Sequence, residues 1–356
     1  MLEDFSGKTV EEPPFSLPTK PDNSRPPGEW VARYVQRVLP RSAKQIDYAM
    51  ISHLHGDHMG TIVADSPHSA LGDYQLSGIT QVAELLPIGT VFDRAWPNYD
   101  YPAPIKNRTV NNYRKFLAWQ ITRRGLKVEQ FQPGRNDQIA LLHEPKAYPE
   151  FEIRNLMVNG IVWTGEGTNT RNLFPPLKAL ASEDYPIENI LSIAFRVRYG
   201  RFDYFAGGDL SDERVAVLSA GDKWKNVETP VSQVCGPVDV MKANHHGSWD
   251  ANSAPFLANL RPRVIVVDSR AEGHPAVNTY ARMISTEIGN GPRDIFITNV
   301  SPATFKTTYG VGKAASTQGH VVIRVAHGGA SYRVFVLDDS DEAMRVKAVF
   351  GPYTSQ

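Results

Sequence analysis

A layered α/β protein is what this chain predicts, on three observations. Strands alternate with turns and helices through its second half, polar residues of metal-ligand type stand where several strands end, and the length allows a large core. With 356 residues and 41% hydrophobic content, the chain can bury one big domain or one carrying a substantial insertion. The first forty residues are rich in proline and polar groups (Glu11, Pro13, Pro14, Pro18, Pro21, Pro26, Pro27) and read as a wrapped loop. Gly28 to Val38 reads as a helix, because Trp30, Val31, Tyr34 and Val38 fall on one face. Ile46 to Ser52 is apolar and bounded by charge, as a buried strand would be. From Pro87 to Pro133 the composition shifts to aromatics, prolines and cations, with a helix expected over Val110 to Arg124. Strands are then expected at Leu191–Tyr199, Arg201–Ala206, Val238–Ala243, Val264–Asp268, Asp294–Thr298, His320–Val325 and Tyr332–Leu337.

Composition removes several function classes. A formal net charge of zero gives no global drive onto nucleic acid or anionic membrane, which leaves only a local basic cleft for a nucleic-acid partner. Cys235 is the only cysteine, so an internal disulfide framework and a thiolate zinc cluster are both excluded. No apolar run is long enough to span a bilayer, and Met1 to Pro14 lacks the core of a signal peptide. A soluble protein is the expectation.

The strongest chemical signal is the run His53, Leu54, His55, Gly56, Asp57, His58, with three imidazoles and one carboxylate in six positions. Imidazole nitrogen and carboxylate oxygen are ligands that borderline divalent ions such as zinc prefer. In extended chain alternate residues share a side, so His53 and His55 can converge while Leu54 turns into the core. Gly56 is expected to permit a tight turn that swings Asp57 and His58 toward a second ion.

Three later strands end in residues of the same kind, and layered α/β proteins gather ligands at strand ends. Phe202 to Phe205 runs into Gly207, Gly208 and Asp209, whose two oxygens could bridge a pair of ions. Val238 to Met241 runs into Asn244, His245, His246, Gly247 and Ser248, and Val264 to Val267 leads to Asp268 and then Gly273, His274, Pro275. Together with residues 53–58 these segments make a four-part constellation of the kind a dinuclear hydrolase requires.

On those runs (HLHGDH, GGDL, NHHGS and EGHP) the chain resembles the metallo-β-lactamase superfamily over roughly residues 28–285. The resemblance is strongest to its branch containing the hydrolase domain of the competence protein ComEC and the pneumococcal phosphorylcholine esterase. It implies a four-layer αββα sandwich, two mixed β-sheets face to face with helices outside, in one domain over residues 1–356. It also implies two divalent metal ions, zinc or manganese. His53 and His55 would hold one ion, Asp57 and His58 the other, Asp209 would bridge, and His245 or His246 would complete the set. Glu188, Asn189 and Ser192 echo a further polar motif of that branch. Members begin with strands leading to an acidic residue ahead of the histidine motif, whereas here only Met1 to Gly7 corresponds, so an N-terminus with strands missing is expected. No histidine matches the additional ligand that lactamases carry between the first motif and the aspartate; His68 and His143 are read as surface residues.

The mechanism implied is attack on phosphorus or a carbonyl carbon by a metal-activated hydroxide. Asp57 and Asp209 would serve the ions, and His274, or whichever of His245 and His246 is not a ligand, would donate a hydrogen bond or act as general acid. A phosphodiester is the expected substrate, because the branch acts on phosphate esters and Arg108, Arg114, Lys115, Arg123 and Arg124 could contact phosphate oxygens. The alternatives are a lactone, β-lactam or thioester, or a non-catalytic binding protein with a vestigial site. The segment from Pro87 to Pro133 is expected to be an insertion walling the substrate cleft, since Trp96, Tyr99, Tyr101, Tyr113, Phe116 and Trp119 must pack on something.

Overall fold

The computed structural model describes residues 2–3, 9–10, 17–212, 223–289 and 291–356. Two compact units emerge, Pro18–Phe131 and Gln132–Gln356. At the N-terminus β1 (Leu2–Glu3) pairs antiparallel with β2 (Thr9–Val10). The remainder of Met1 to Gly7, and the proline-rich stretch through Pro14, lies outside the described residues.

In the first unit α1 (Pro27–Val38) starts on a proline, whose missing N–H belongs in a first turn, and buries Ala32 against Val82 and Leu86. Three parallel strands follow in the order β3 (Ile46–Met50), β4 (Ile88–Asp93), β5 (Lys127–Gln130). Parallel neighbours need crossover connections, supplied by α2 (Gly56–Met59) and α3 (Ile79–Leu85), then by α4 (Arg108–Arg124). Asn107 caps α4 by accepting from the Val110 N–H, and Gly125 ends it in the left-handed region at φ 69°. The segment expected as an insertion thus supplies β4, the middle strand of this sheet, together with α4 and β5.

Its aromatic rings do pack on the body, but into the core. Tyr99, Tyr113 and Phe116 are almost fully buried with Val91 and Leu117, and Trp96 and Trp119 lie against the same cluster. Their anchor is Asp93 at the end of β4. One oxygen accepts from the Ala95 and Trp96 N–H groups at 2.8 and 2.7 Å, the other from the Tyr99 and Tyr113 hydroxyls at 2.6 and 3.1 Å. A buried carboxylate is tolerable only when satisfied in this way. Burial and the Asp93 charge hold both phenols above the usual tyrosine range.

The second unit is built on an eight-stranded mixed sheet, ordered β13-β12-β11-β10-β9-β6-β7-β8. Its strands are β6 (Phe151–Val158), β7 (Ile161–Trp163), β8 (Thr170–Asn172), β9 (Ala194–Tyr199), β10 (Phe202–Ala206), β11 (Val240–Lys242), β12 (Val264–Val267) and β13 (Asp294–Ile297). Strands β10 to β13 run parallel, with α5 (Glu228–Cys235), α6 (Ala254–Leu260) and α7 (Val277–Ile284) in the crossovers. Side chains alternate across the sheet as the two-residue period demands. Phe205 meets Phe256 of α6 on one face, while Phe202, Val240, Val264 and Phe296 face the other. That second face is covered, after α8 (Pro302–Thr307), by an antiparallel sheet of β14 (His320–Val325), β15 (Ser331–Leu337) and β16 (Val346–Thr354), through Tyr332, Val334 and Val336. The chain is therefore of the α/β class, with mixed sheets flanked by helices. Among the described residues no helix is long and apolar enough to cross a membrane.

Candidate metal centre

Each unit carries one cluster of ligand-type side chains. In the first, β3 ends at Met50, and the Ile51 N–H still pairs with Phe92 before the chain leaves the sheet. Leu54 turns into the core, as the alternation predicts, and leaves His53 and His55 together, His53 Nε2 lying 3.0 Å from His55 Nδ1. The His53 and His58 rings are 4.0 Å apart between centroids, and the Ser52 hydroxyl lies 3.0 Å from His58 Nδ1. The turn at Gly56 differs from expectation. It is the first turn of α2, and glycine is required there because a Cβ would collide with the Thr61 side chain. That turn puts His58 Nε2 3.7 Å from an Asp57 oxygen. Three imidazoles and a carboxylate thus share one small volume, an arrangement that a bound cation stabilises and added protons do not.

The second cluster draws on segments far apart in sequence. Asp209 follows β10 through Gly207 and Gly208. A side chain at 207 would meet Asn244 Oδ1 at 2.6 Å, so glycine is what lets these two strand ends approach. The Asp209 N–H donates to the Ser192 hydroxyl at 3.1 Å. Beyond β11, His245 and His246 both take the left-handed conformation, at φ 46° and 54°. Such backbone costs a residue with a Cβ roughly 1–2 kcal/mol, and two in succession persist only where the surroundings impose them.

The two rings are fixed by different partners. His246 Nδ1 lies 2.9 Å from the Asp268 carbonyl. A carbonyl only accepts, so Nδ1 carries a proton, and Nε2 is the nitrogen turned toward an Asp209 oxygen at 3.6 Å. The oxygen of Asp209 and the nitrogen of His246 are close enough for one ion. His245 Nδ1 lies 2.8 Å from Asp250, its Nε2 is 3.3 Å from Asn189 Nδ2, and that same Nε2 is 3.8 Å from Asp209. Burial pulls the His245 pKa down, but the hydrogen bond and charge of Asp250, with Asp209, outweigh it and leave it above the ordinary imidazole value. Burial pushes Asp250 up, but the hydrogen bond and charge of His245, with hydrogen bonds from Ser248 and its own backbone, together outweigh it and hold Asp250 below the usual carboxylate range. Histidines that ligate metals are oriented this way, through an acceptor on the other ring nitrogen.

His274 stacks on His246 with ring centroids 5.7 Å apart and an interplanar angle of 10°. Burial, then the neighbouring histidines, pull its pKa down to about 4, and its Nδ1 is buried without a hydrogen-bond partner. Asn189 and Ser192 therefore stand beside the second cluster; Glu188 sits one residue away in the same short helical turn. Sequence reasoning missed Asp250 and the carbonyl of Asp268 as orienting groups. The signal for Asp250 was its place five residues beyond His245, on the same loop. His68 and His143 are both exposed. Three of the five cations of α4 are engaged locally: Lys115 with Asp73 at 2.8 Å, Arg124 with the Ala83 carbonyl at 3.1 Å, and Arg114 over the Tyr99 ring at 5.7 Å.

No family model matches the sequence, and no curated protein is similar to it. Among solved structures the chain is similar to CmlA, a diiron β-hydroxylase from Streptomyces venezuelae, at 14% identity and a TM-score of 0.34 over 68% of this chain and 38% of that one. It is also similar to a mutant of CmlA β-hydroxylase, at 13% identity and a TM-score of 0.36 over 73% of this chain and 44% of that one. The chain spans less than half the length of either.

Proposed function

We propose that the chain is a metal-dependent hydrolase that uses a dinuclear centre of divalent ions, zinc or manganese, to cleave a phosphodiester. The observation that carries this reading is the convergence of His246 Nε2 on an Asp209 oxygen at 3.6 Å, set by a ring whose other nitrogen is committed to a carbonyl. In this reading His53, His55, Asp57 and His58 supply ligands from the first cluster, and Asp209 and His246 supply them from the second. His245, gripped by Asp250 and Asn189, is then the histidine left to meet charge on the substrate. His274 shields His246 from water and offers a ring N–H as hydrogen-bond donor. Bound divalent ions supply an acidified water and stabilise negative charge on the departing oxygen. The phosphodiester class rests on the sequence resemblance to a phosphate-ester branch of the metallo-β-lactamase superfamily, since Arg114, Lys115 and Arg124 of α4 have local partners.

The test has two parts. Elemental analysis after metal-replete purification is expected to find close to two transition-metal ions per chain, and none would end the enzyme reading. A panel of phosphodiester, phosphomonoester, lactone, thioester and β-lactam substrates should then show turnover on the phosphodiester. Turnover on a carbonyl substrate alone would keep the centre and replace the substrate class.

A further inference from the structure

The loop from Asn244 to Ser253 carries His245, His246 and Asp250, and it holds three left-handed residues that are not glycine: His245, His246 and Asn252, the last at φ 57°. Something must impose that shape. The largest contribution comes from a residue with no place in any motif, Glu228, the first residue of α5 and fully buried. One of its carboxylate oxygens accepts from Asn244 Nδ2 at 2.9 Å and from the Asn252 N–H at 2.6 Å; the other accepts from the Ser253 N–H at 2.9 Å. Glu228 thus binds both ends of the loop at once. Asn252 closes the same ring from within, accepting from the Asn244 N–H at 3.0 Å and donating to the Asn244 carbonyl at 2.9 Å. From α7, Arg282 donates to the Ala251 and Asn252 carbonyls at 2.8 and 3.0 Å, and Thr279 to the Ser248 carbonyl at 2.8 Å.

A carboxylate in a fully buried position is an expensive way to satisfy three N–H groups, since each could pair with a neutral carbonyl or amide. What a carboxylate adds is strength and two divergent acceptors on one rigid plane. We infer that Glu228 is a positioning residue for the metal centre: by clamping Asn244 to Asn252 and Ser253 it holds His245 and His246 in the left-handed geometry that presents their ring nitrogens toward Asp209. The inference rests on the metal-centre reading above. Glu228 touches no ligand and no substrate; it acts through the loop.

The experiment is zinc affinity by competition with a chromophoric chelator, together with the visible spectrum of the cobalt(II)-loaded protein, for four full-length proteins. These are wild type, Glu228→Gln, Asn252→Gly and Ser232→Ala. Glutamine keeps the size but offers one acceptor where the loop needs two, and glycine at 252 accepts the left-handed backbone while removing the side-chain clamp. Ser232→Ala is the control for the helix, because Ser232 is buried on α5 and bonds Thr229 and Asn259 rather than the loop. Zinc affinity is expected to fall by about 10- to 100-fold in Glu228→Gln and by a smaller factor in Asn252→Gly, with altered cobalt bands in both, as happens when groups behind a ligand are removed. Ser232→Ala should lose thermal stability and keep its affinity and spectrum. Should Glu228→Gln fail to fold, Asn252→Gly alone decides. Unchanged affinity and spectrum in the folded clamp variants, or an equal loss in Ser232→Ala, overturns the positioning role while the centre stands. A wild type that takes up no zinc overturns the centre itself.

Discussion

The two histidine clusters gather similar ligand-type side chains by opposite means. Residues 53–58 are placed by the chain itself: a strand ends, alternation sorts His53 and His55 from Leu54, and one helical turn delivers Asp57 and His58. The second cluster is placed by other residues. Asp209 leans on Ser192, His245 on Asp250 and Asn189, His246 on the Asp268 carbonyl, and the loop under both histidines on α5 and α7. A cluster set by local backbone tolerates loss of a supporting side chain. A cluster held in strained backbone does not.

That difference orders the expected effects. Asp209→Ala should lower activity by more than the roughly 100-fold ceiling typical of groups behind a ligand, with a far smaller change in melting temperature, because Gly207 and Gly208, which set the close approach of the strand ends, are left in place. Retained turnover would remove Asp209 from the site. Tyr99→Ala should destabilise the first unit by about 3–5 kcal/mol, as buried aromatic truncations do, since it empties a core position and strips Asp93 of a donor. Denaturant unfolding measures it. A shift in KM with wild-type stability would instead return Tyr99 to a substrate wall.

Asp250→Ala should lower turnover by about 100-fold with bound metal retained, because His245, the histidine left to meet charge on the substrate, loses the acceptor that fixes its ring. Glu228 adds a pH dependence. Burial pushes its carboxyl up to about 7 from an ordinary 4.5, so the folded state keeps a proton that the unfolded state releases. The stabilisation from that proton is complete below 4.5 and is lost as pH rises through about 7. Wild type should therefore lose stability relative to Glu228→Gln across that window, and a flat difference in denaturant unfolding would assign the proton elsewhere. The smallest effect belongs to the first cluster. Ser52→Ala removes a hydroxyl 3.0 Å from His58 Nδ1, yet the backbone still sets the ring, and metal affinity should change by less than threefold, roughly the 0.5 kcal/mol of an ordinary surface substitution. A loss as large as that expected for Glu228→Gln would erase the contrast between the clusters.

What could be read in the sequence follows the same division. Strands β9 to β15 stand close to the apolar runs that foretold them, because each is short, buried on at least one face and bounded by turns. Helices α1 and α4 begin within two residues of their expected starts. Strand β4 is masked in the sequence because its Ile88–Asp93 opens a stretch dominated by prolines and aromatics, a composition more typical of an insertion than of a central strand. Strand β16 reads Val346 to Thr354 with a Gly-Pro pair inside it, a signal for a turn that an edge strand accommodates. At the site, residue types at strand ends were legible one by one, and Asp250 left a local trace five residues beyond His245, whereas Glu228 left none. Its role is a contact between segments brought together by a parallel crossover, and no local pattern encodes it.

The clamp on the Asn244–Ser253 loop also imposes an order in time. Glu228 precedes the loop by 16 positions, while Thr279 and Arg282 follow it by about thirty, on a helix that forms only after β12 has been laid beside β11. Contacts of that separation are made late, once closure of the intervening chain has been achieved. Until then His245 and His246 have no reason to leave ordinary backbone, and a nascent chain can present the histidines near position 53 to an ion well before it can present the pair at 245 and 246. Ion capture by the second cluster, on the proposed reading, would then be a maturation step that reports completion of the large sheet.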